Sequence, residues 1–142
     1  MDTLAILFLA ALGYGVFWFL LFHSLARLSG WHALGLRYST SVRPEGRSFG
    51  WGYSRFGWLD YNGCQTFVVA PEGLYIALWR LFAAGHPPLL IPWPSLRVVV
   101  ECRGRFYKMT VLDVDDPPLL RIRIPFKVFD AARPYLAAQP AR

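Results

Sequence analysis

Few residues in this chain stand at spacings that chemistry requires. His86, set between Gly85 and Pro87-Pro88, has the side chain of a base or a ligand, but no nucleophile or orienting carboxylate accompanies it. Its two prolines make the segment a stiff turn, with His86, Pro87 and Pro88 as a loop able to contact a partner. Asp113, Asp115 and Asp116 have the charge to attract a divalent cation, yet they lack the glycine-centred loop of a calcium site and read as a hairpin turn before Pro117-Pro118. Glu45, Asp60, Glu72 and Cys64 fall in different elements, with no spacing for paired-carboxylate or nucleophilic work. Gly50-Trp51-Gly52 precedes a strand pattern and not a helix, so it is no phosphate cradle. Trp51, Trp58, Trp79 and Trp93 read as core and rim. Cys64 and Cys102 have no Cys-x-x-Cys spacing for zinc, and Cys102 alternates with Val98 and Val100 as a small apolar residue facing a core. No catalytic residue, cofactor or metal site is expected, and the chain reads as a non-enzyme.

Charge is the stronger chemical signal. The net charge of +6 comes mostly from arginine. If the last three strands pair in order, Arg97, Arg103, Lys108, Arg121 and Arg123 gather outward, with Arg105 at a turn and Glu101 as the one carboxylate. Each cation near an anionic bilayer adds roughly 1 kcal/mol of attraction. Such a face fits lipid headgroups or an acidic protein, or else an ordinary solvated sheet. No nucleic-acid motif accompanies it, so nucleic acid is not expected as a partner.

All of these residues must be positioned by the elements C-terminal to Thr3–Phe22, a run without a single charge. At about 1.5 Å per residue that run makes a helix of roughly 30 Å, the thickness of a bilayer's hydrocarbon core, and it has no polar stripe. Ser24-Leu25-Ala26 has small residues at cleavage-site offsets, but no Lys or Arg precedes the run, so an uncleaved span is expected. Asp2 lies before it and Arg27, Arg37, Arg43, Arg47 and Arg55 after it, which places the C-terminal part in the cytoplasm and the N-terminus outside. Ala11 and Gly15, with Gly13 between them, would let a second membrane helix approach closely. Beyond the span, residues 25–46 read as an amphipathic helix in the headgroup layer and a linker, bent at Ser29-Gly30. Trp18, Arg27, Trp31, Arg37 and Tyr38 are its expected interfacial anchors.

From residue 47 the period changes to two. Phe49, Trp51 and Tyr53 begin a first strand, Asp60-Tyr61-Asn62-Gly63 reads as the turn, and Cys64–Ala70 as the second strand. Leu74–Arg80 and the short Leu89–Ile91 follow. Arg97–Arg103, Phe106–Val114 and Leu120–Ile124 complete an antiparallel meander of about seven strands. After Pro125 the spacing of Phe126, Phe129, Ala132 and Leu136 predicts a closing amphipathic helix, kinked or shortened at Pro134.

Span, interfacial helix, seven strands and a C-terminal helix together resemble the pleckstrin-homology fold. The phrases Ser29-Gly30-Trp31, Glu72-Gly73-Leu74-Tyr75-Ile76 and His86-Pro87-Pro88-Leu89-Leu90-Ile91-Pro92-Trp93 also resemble small bacterial single-span membrane proteins with a pleckstrin-homology or GRAM-like domain. The resemblance implies a transmembrane helix over 1–24, the interfacial stretch 25–46, and a mainly-β domain over 47–142. That domain would be a two-sheet, partly open barrel with a C-terminal capping helix, at the bacterial inner membrane. The functional expectation is a membrane-anchored binding or scaffold protein, an accessory or stabilising subunit of a larger membrane complex. Its partners would be the lipid bilayer, other membrane subunits and anionic headgroups. The alternative is a lipid- or small-apolar-ligand sensor, with a pocket at the open barrel end lined by Leu81–Ala84.

Overall fold

A computed structural model describes residues 2–103 and 108–137, with side chains for all of these except residues 51, 100–103 and 108. Helix α1 (Thr3–Ser29) outruns the uncharged stretch and carries Arg27 in its last turn. Its length is about 40 Å at the usual rise. Gly30 ends it in the left-handed conformation (φ 86°), where its N–H reaches the Arg27 carbonyl, and the chain turns directly into α2 (Trp31–Tyr38). A Cβ at Gly30 would lie 2.7 Å from a Leu120 methyl, so both its conformation and its packing favour glycine.

Seven antiparallel strands follow: β1 (Arg47–Phe56), β2 (Leu59–Ala70), β3 (Gly73–Leu78), β4 (Leu89–Ile91), β5 (Leu96–Arg103), β6 (Lys108–Val114) and β7 (Leu120–Pro125). They form one continuous ladder in the order β4-β3-β2-β1-β7-β6-β5. The end of β1 leaves β2 to pair with β7 through Arg55↔Arg123 and Phe56↔Ile122, which joins the two halves and curls them into a nearly closed barrel. Helix α3 (Phe126–Ala137) packs on β6, β2, β5 and β7, and it continues past Pro134 without ending there.

The first hairpin differs from the sequence expectation. Its turn is Gly57-Trp58, closed by the pair Phe56↔Leu59, and Asp60 and Tyr61 already belong to β2. Gly63, with φ 70°, stands beside register shifts around Gly52 and marks irregular strand, not a chain reversal. Asp-Tyr-Asn-Gly has the composition of a turn because a bulge demands the same positive-φ glycine.

The core is filled from both ends. Phe56, Phe67, Ile76, Leu112 and Ile122 come from the strands, and Val128, Phe129 and Ala132 from α3. Trp31 and Leu34, both 0% exposed, come from α2. This corrects the expectation for Trp31, which is a barrel plug and not a headgroup anchor. Its ring lies 4.4 Å from Phe56 and 5.6 Å from Tyr61, and its indole N–H donates to the Pro87 carbonyl at 2.9 Å. Trp31, Leu34 and Tyr38 share one side of α2, and that side faces protein. At the other end Trp93 donates to the Ala70 carbonyl at 2.9 Å and stacks on Tyr135 with ring centroids 5.3 Å apart.

Candidate functional site

Most of α1 is bare. Leu4, Leu7, Phe8, Leu12, Phe17 and Leu20 are all more than half exposed, and the helix is long and apolar enough to cross a membrane. Along one side Ala11, Leu12, Gly15, Val16, Phe19 and Leu20 line a shallow groove of about 340 Å³. Gly13 does not border it, because two residues along a helix is more than half a turn away.

The C-terminal part of α1 is clamped by two loops of the barrel. The loop after β3 contains a single 3-10 turn, Arg80–Phe82, which runs beside the helix. There the Trp18 indole donates to the Leu81 carbonyl at 2.9 Å, and Phe82 packs 5.9 Å from Trp18 and 5.5 Å from Phe22. Gly85, in the left-handed region at φ 71°, lets the backbone close on His23, where a Cβ would come 2.9 Å from the His23 Cα. The second clamp is the β1–β2 turn, whose Trp58 indole donates to the Leu28 carbonyl at 2.9 Å. Trp18, expected as an anchor near the interface, is thus also a contact between helix and barrel.

Beneath the clamp sits a buried polar chain. Tyr61 Oη lies 2.8 Å from His86 Nε2 and 3.0 Å from Ser29 Oγ. The other ring nitrogen, Nδ1, donates to the Ala84 carbonyl at 2.9 Å. A carbonyl can only accept, so Nδ1 carries the proton and Nε2 of the neutral ring accepts from Tyr61. Burial pushes the His86 pKa below its ordinary value, and burial lifts the Tyr61 phenol to about 12. Both groups are therefore neutral at pH 7. His86 is only 1% exposed, which corrects its reading as an exposed partner loop: Pro87 and Pro88 hold it inward, and both prolines are themselves half-buried. Sequence reasoning passed over Ser29 and Tyr61, because nothing in their spacing announces that β2, α1 and the β3–β4 loop converge.

Among the described residues of the expected basic face, Arg97 and Arg121 have carboxylate partners. Register places Arg97, Asp113 and Arg121 in one row across β5, β6 and β7. Arg121 grips Asp113 through Nε at 2.8 Å and holds its carboxyl below the usual range. Arg97 reaches Asp116 at 2.5 Å, and Arg55 reaches Asp60 at 2.5 Å. Hydrogen bonds from Arg55 and Tyr53 bring the Asp60 pKa down to about 2, with further help from the charge of Arg123. The inward row of β6 is Thr110 and Leu112, both buried, so the expected outward row of that strand is corrected to the one containing Asp113. Arg105 and the side chains of Arg103 and Lys108 lie outside the described residues.

The three aspartates before the double proline disperse. Asp113 goes to Arg121, Asp116 to Arg97, and Asp115 to Arg37 at 2.9 Å and to the Tyr38 hydroxyl. Arg37 and Tyr38 thus pin α2 to the β6–β7 turn, while Arg27 stays exposed near the end of α1. Among the described residues no group of three or more His, Cys, Asp or Glu is placed to hold a metal ion. Burial raises the pKa of the Cys64 thiol, which makes it a poor nucleophile. Set beside known protein families, curated proteins and solved structures, the chain matches none of them.

Proposed function

We propose that this chain is a non-enzymatic, membrane-anchored binding protein, most concretely an accessory subunit that stabilises a larger complex in a bacterial inner membrane. Its barrel is a pleckstrin-homology-like module held on the cytoplasmic side by α1, with the N-terminus outside. The observation that carries this reading is the contrast between a barrel with a complete core and a 27-residue apolar helix almost wholly outside it. A helix apolar all round needs an apolar surround, which a bilayer supplies. The groove at Ala11 and Gly15 then offers the closest approach for another membrane helix. Anionic headgroups or an acidic partner surface would meet the basic residues of the sheet. The ligand-sensor reading has less support, since Trp31, Phe56 and Phe67 fill the barrel and the Leu81–Ala84 loop lies along α1.

The test is extraction. Alkaline carbonate should leave the full chain in the membrane pellet, and gentle detergent should bring it out with other membrane polypeptides. A Cβ at Gly15 would meet nothing within 4 Å, so Gly15→Leu leaves the chain's own packing intact while filling the groove. It should strip those polypeptides away. Carbonate release, or recovery of the wild type as a lone monomer, would overturn the reading.

A further inference from the structure

We infer that the β3–β4 loop is itself a membrane-embedded element, with the 3-10 turn Arg80–Phe82 inserted beside α1 among lipid acyl chains. The inference rests on α1 being a span. Trp18 lies four residues before Phe22, the last residue of the uncharged run, so its level is about 6 Å inside the apolar end. The hydrogen bond from Trp18 to the Leu81 carbonyl and the packing of Phe82 on Trp18 and Phe22 hold the turn at that same level. If α1 spans, Leu81 goes in with it.

The composition of the loop agrees. From residue 81 to 84 it reads Leu-Phe-Ala-Ala, and Leu81 is 74% exposed. Arg80, the first residue of the inserted turn, is exposed and has a stem long enough to carry its charge to the headgroups, and Arg27 stands exposed in the last turn of α1. Trp58, 63% exposed at the level of Leu28, stands about 15 Å further along the helix, where an indole suits the polar interface.

A second argument comes from the loop's carbonyls, of which those of residues 79, 80, 81, 83 and 84 all have partners. Irregular backbone survives at membrane depth only where its polar groups find partners within the protein. Here the Trp79 carbonyl accepts from Phe82 N–H at 2.8 Å, Arg80 from Ala83 N–H at 3.3 Å, and Ala83 from His86 N–H at 2.9 Å. Leu81 accepts from the Trp18 indole and Ala84 from His86 Nδ1, each at 2.9 Å. A loop tip in water has no need of an indole and an imidazole to satisfy its carbonyls. The buried His86 thus acts structurally, closing the base of the inserted loop.

Photocrosslinking of the full chain in phosphatidylcholine–phosphatidylglycerol vesicles tests this. Benzoylphenylalanine is placed, one site at a time, at Leu81, at Leu12 within the span, and at Glu72 in the β2–β3 turn at the far end of the barrel. All three positions are exposed, so the substitutions leave the core untouched. Lipid adducts in comparable yield at 81 and 12, read as the mass shift of an acyl chain, with none at 72, are expected. Adducts at 12 but not at 81, or adducts at 81 to a second copy or another polypeptide, would overturn the embedded loop while leaving the span in place. Loss of lipid adducts at both 12 and 81 would overturn the span and the loop together.

Discussion

Tyr61 in β2 and His86 in the β3–β4 loop meet through a 2.8 Å hydrogen bond inside the barrel, and Ser29 at the end of α1 joins them through Tyr61 at 3.0 Å. One phenol therefore ties α1, the sheet and the clamping loop together. Tyr61→Phe would keep the ring contacts with Trp31 and Phe56 but leave Nε2 and the Ser29 hydroxyl buried without this partner. The expected cost is about 1–3 kcal/mol. Denaturant unfolding in detergent micelles, followed by tryptophan fluorescence, measures it, and an unchanged midpoint would show that the chain of hydrogen bonds carries no stability.

The same burial makes the fold sensitive to mild acid. His86 has a folded pKa below that of the unfolded chain, where histidine titrates near 6.5. As pH falls through that value the unfolded state takes up the proton first. Stability is therefore full above about pH 6.5 and declines below it. Thermal midpoints from pH 8 to pH 5 should show the decline, and His86→Gln should flatten it. Burial is the larger cause, and the His23 side chain lowers the His86 pKa in the same direction.

Stronger acid acts on the outer face of the barrel. Asp60 has its folded pKa brought from 3.8 to about 2, first of all by the hydrogen bond from Arg55. Its contribution is present above the unfolded value and is lost as pH falls through the folded one. Between pH 4 and pH 2 wild type should lose stability more steeply than Arg55→Gln, as read by circular dichroism. Both side chains are at least a third exposed, so the difference should be small and should shrink in salt.

Much of the architecture was legible in one dimension. The change from helical period to period two at residue 47, and back again after Pro125, located the barrel and its closing helix, because each element buries one face and side-chain spacing records which. The first hairpin was misread because a bulge and a turn recruit the same glycine. Two cations of the expected basic face, Arg97 and Arg121, have carboxylate partners for a related reason. A register shift between Val98 and Val100 in β5, and the true outward parity of β6, bring Asp113 into the row of Arg97 and Arg121.

The two tryptophans at either end of the helix–barrel junction divide what each level of description decides. Trp18 and Trp31 stand on either side of the end of one apolar run, with Arg27 between them, and by composition both suit a membrane interface. Only the fold separates them: Gly30 reverses the chain, sending Trp31 into the barrel while Trp18 stays on the helix above it. Local chemistry determined that a greasy helix precedes a β domain, since hydrophobicity and periodicity belong to neighbouring residues. Which loop climbs that helix, and which histidine is sealed beneath it, depends on contacts between residues more than sixty positions apart, and only the folded chain brings those together.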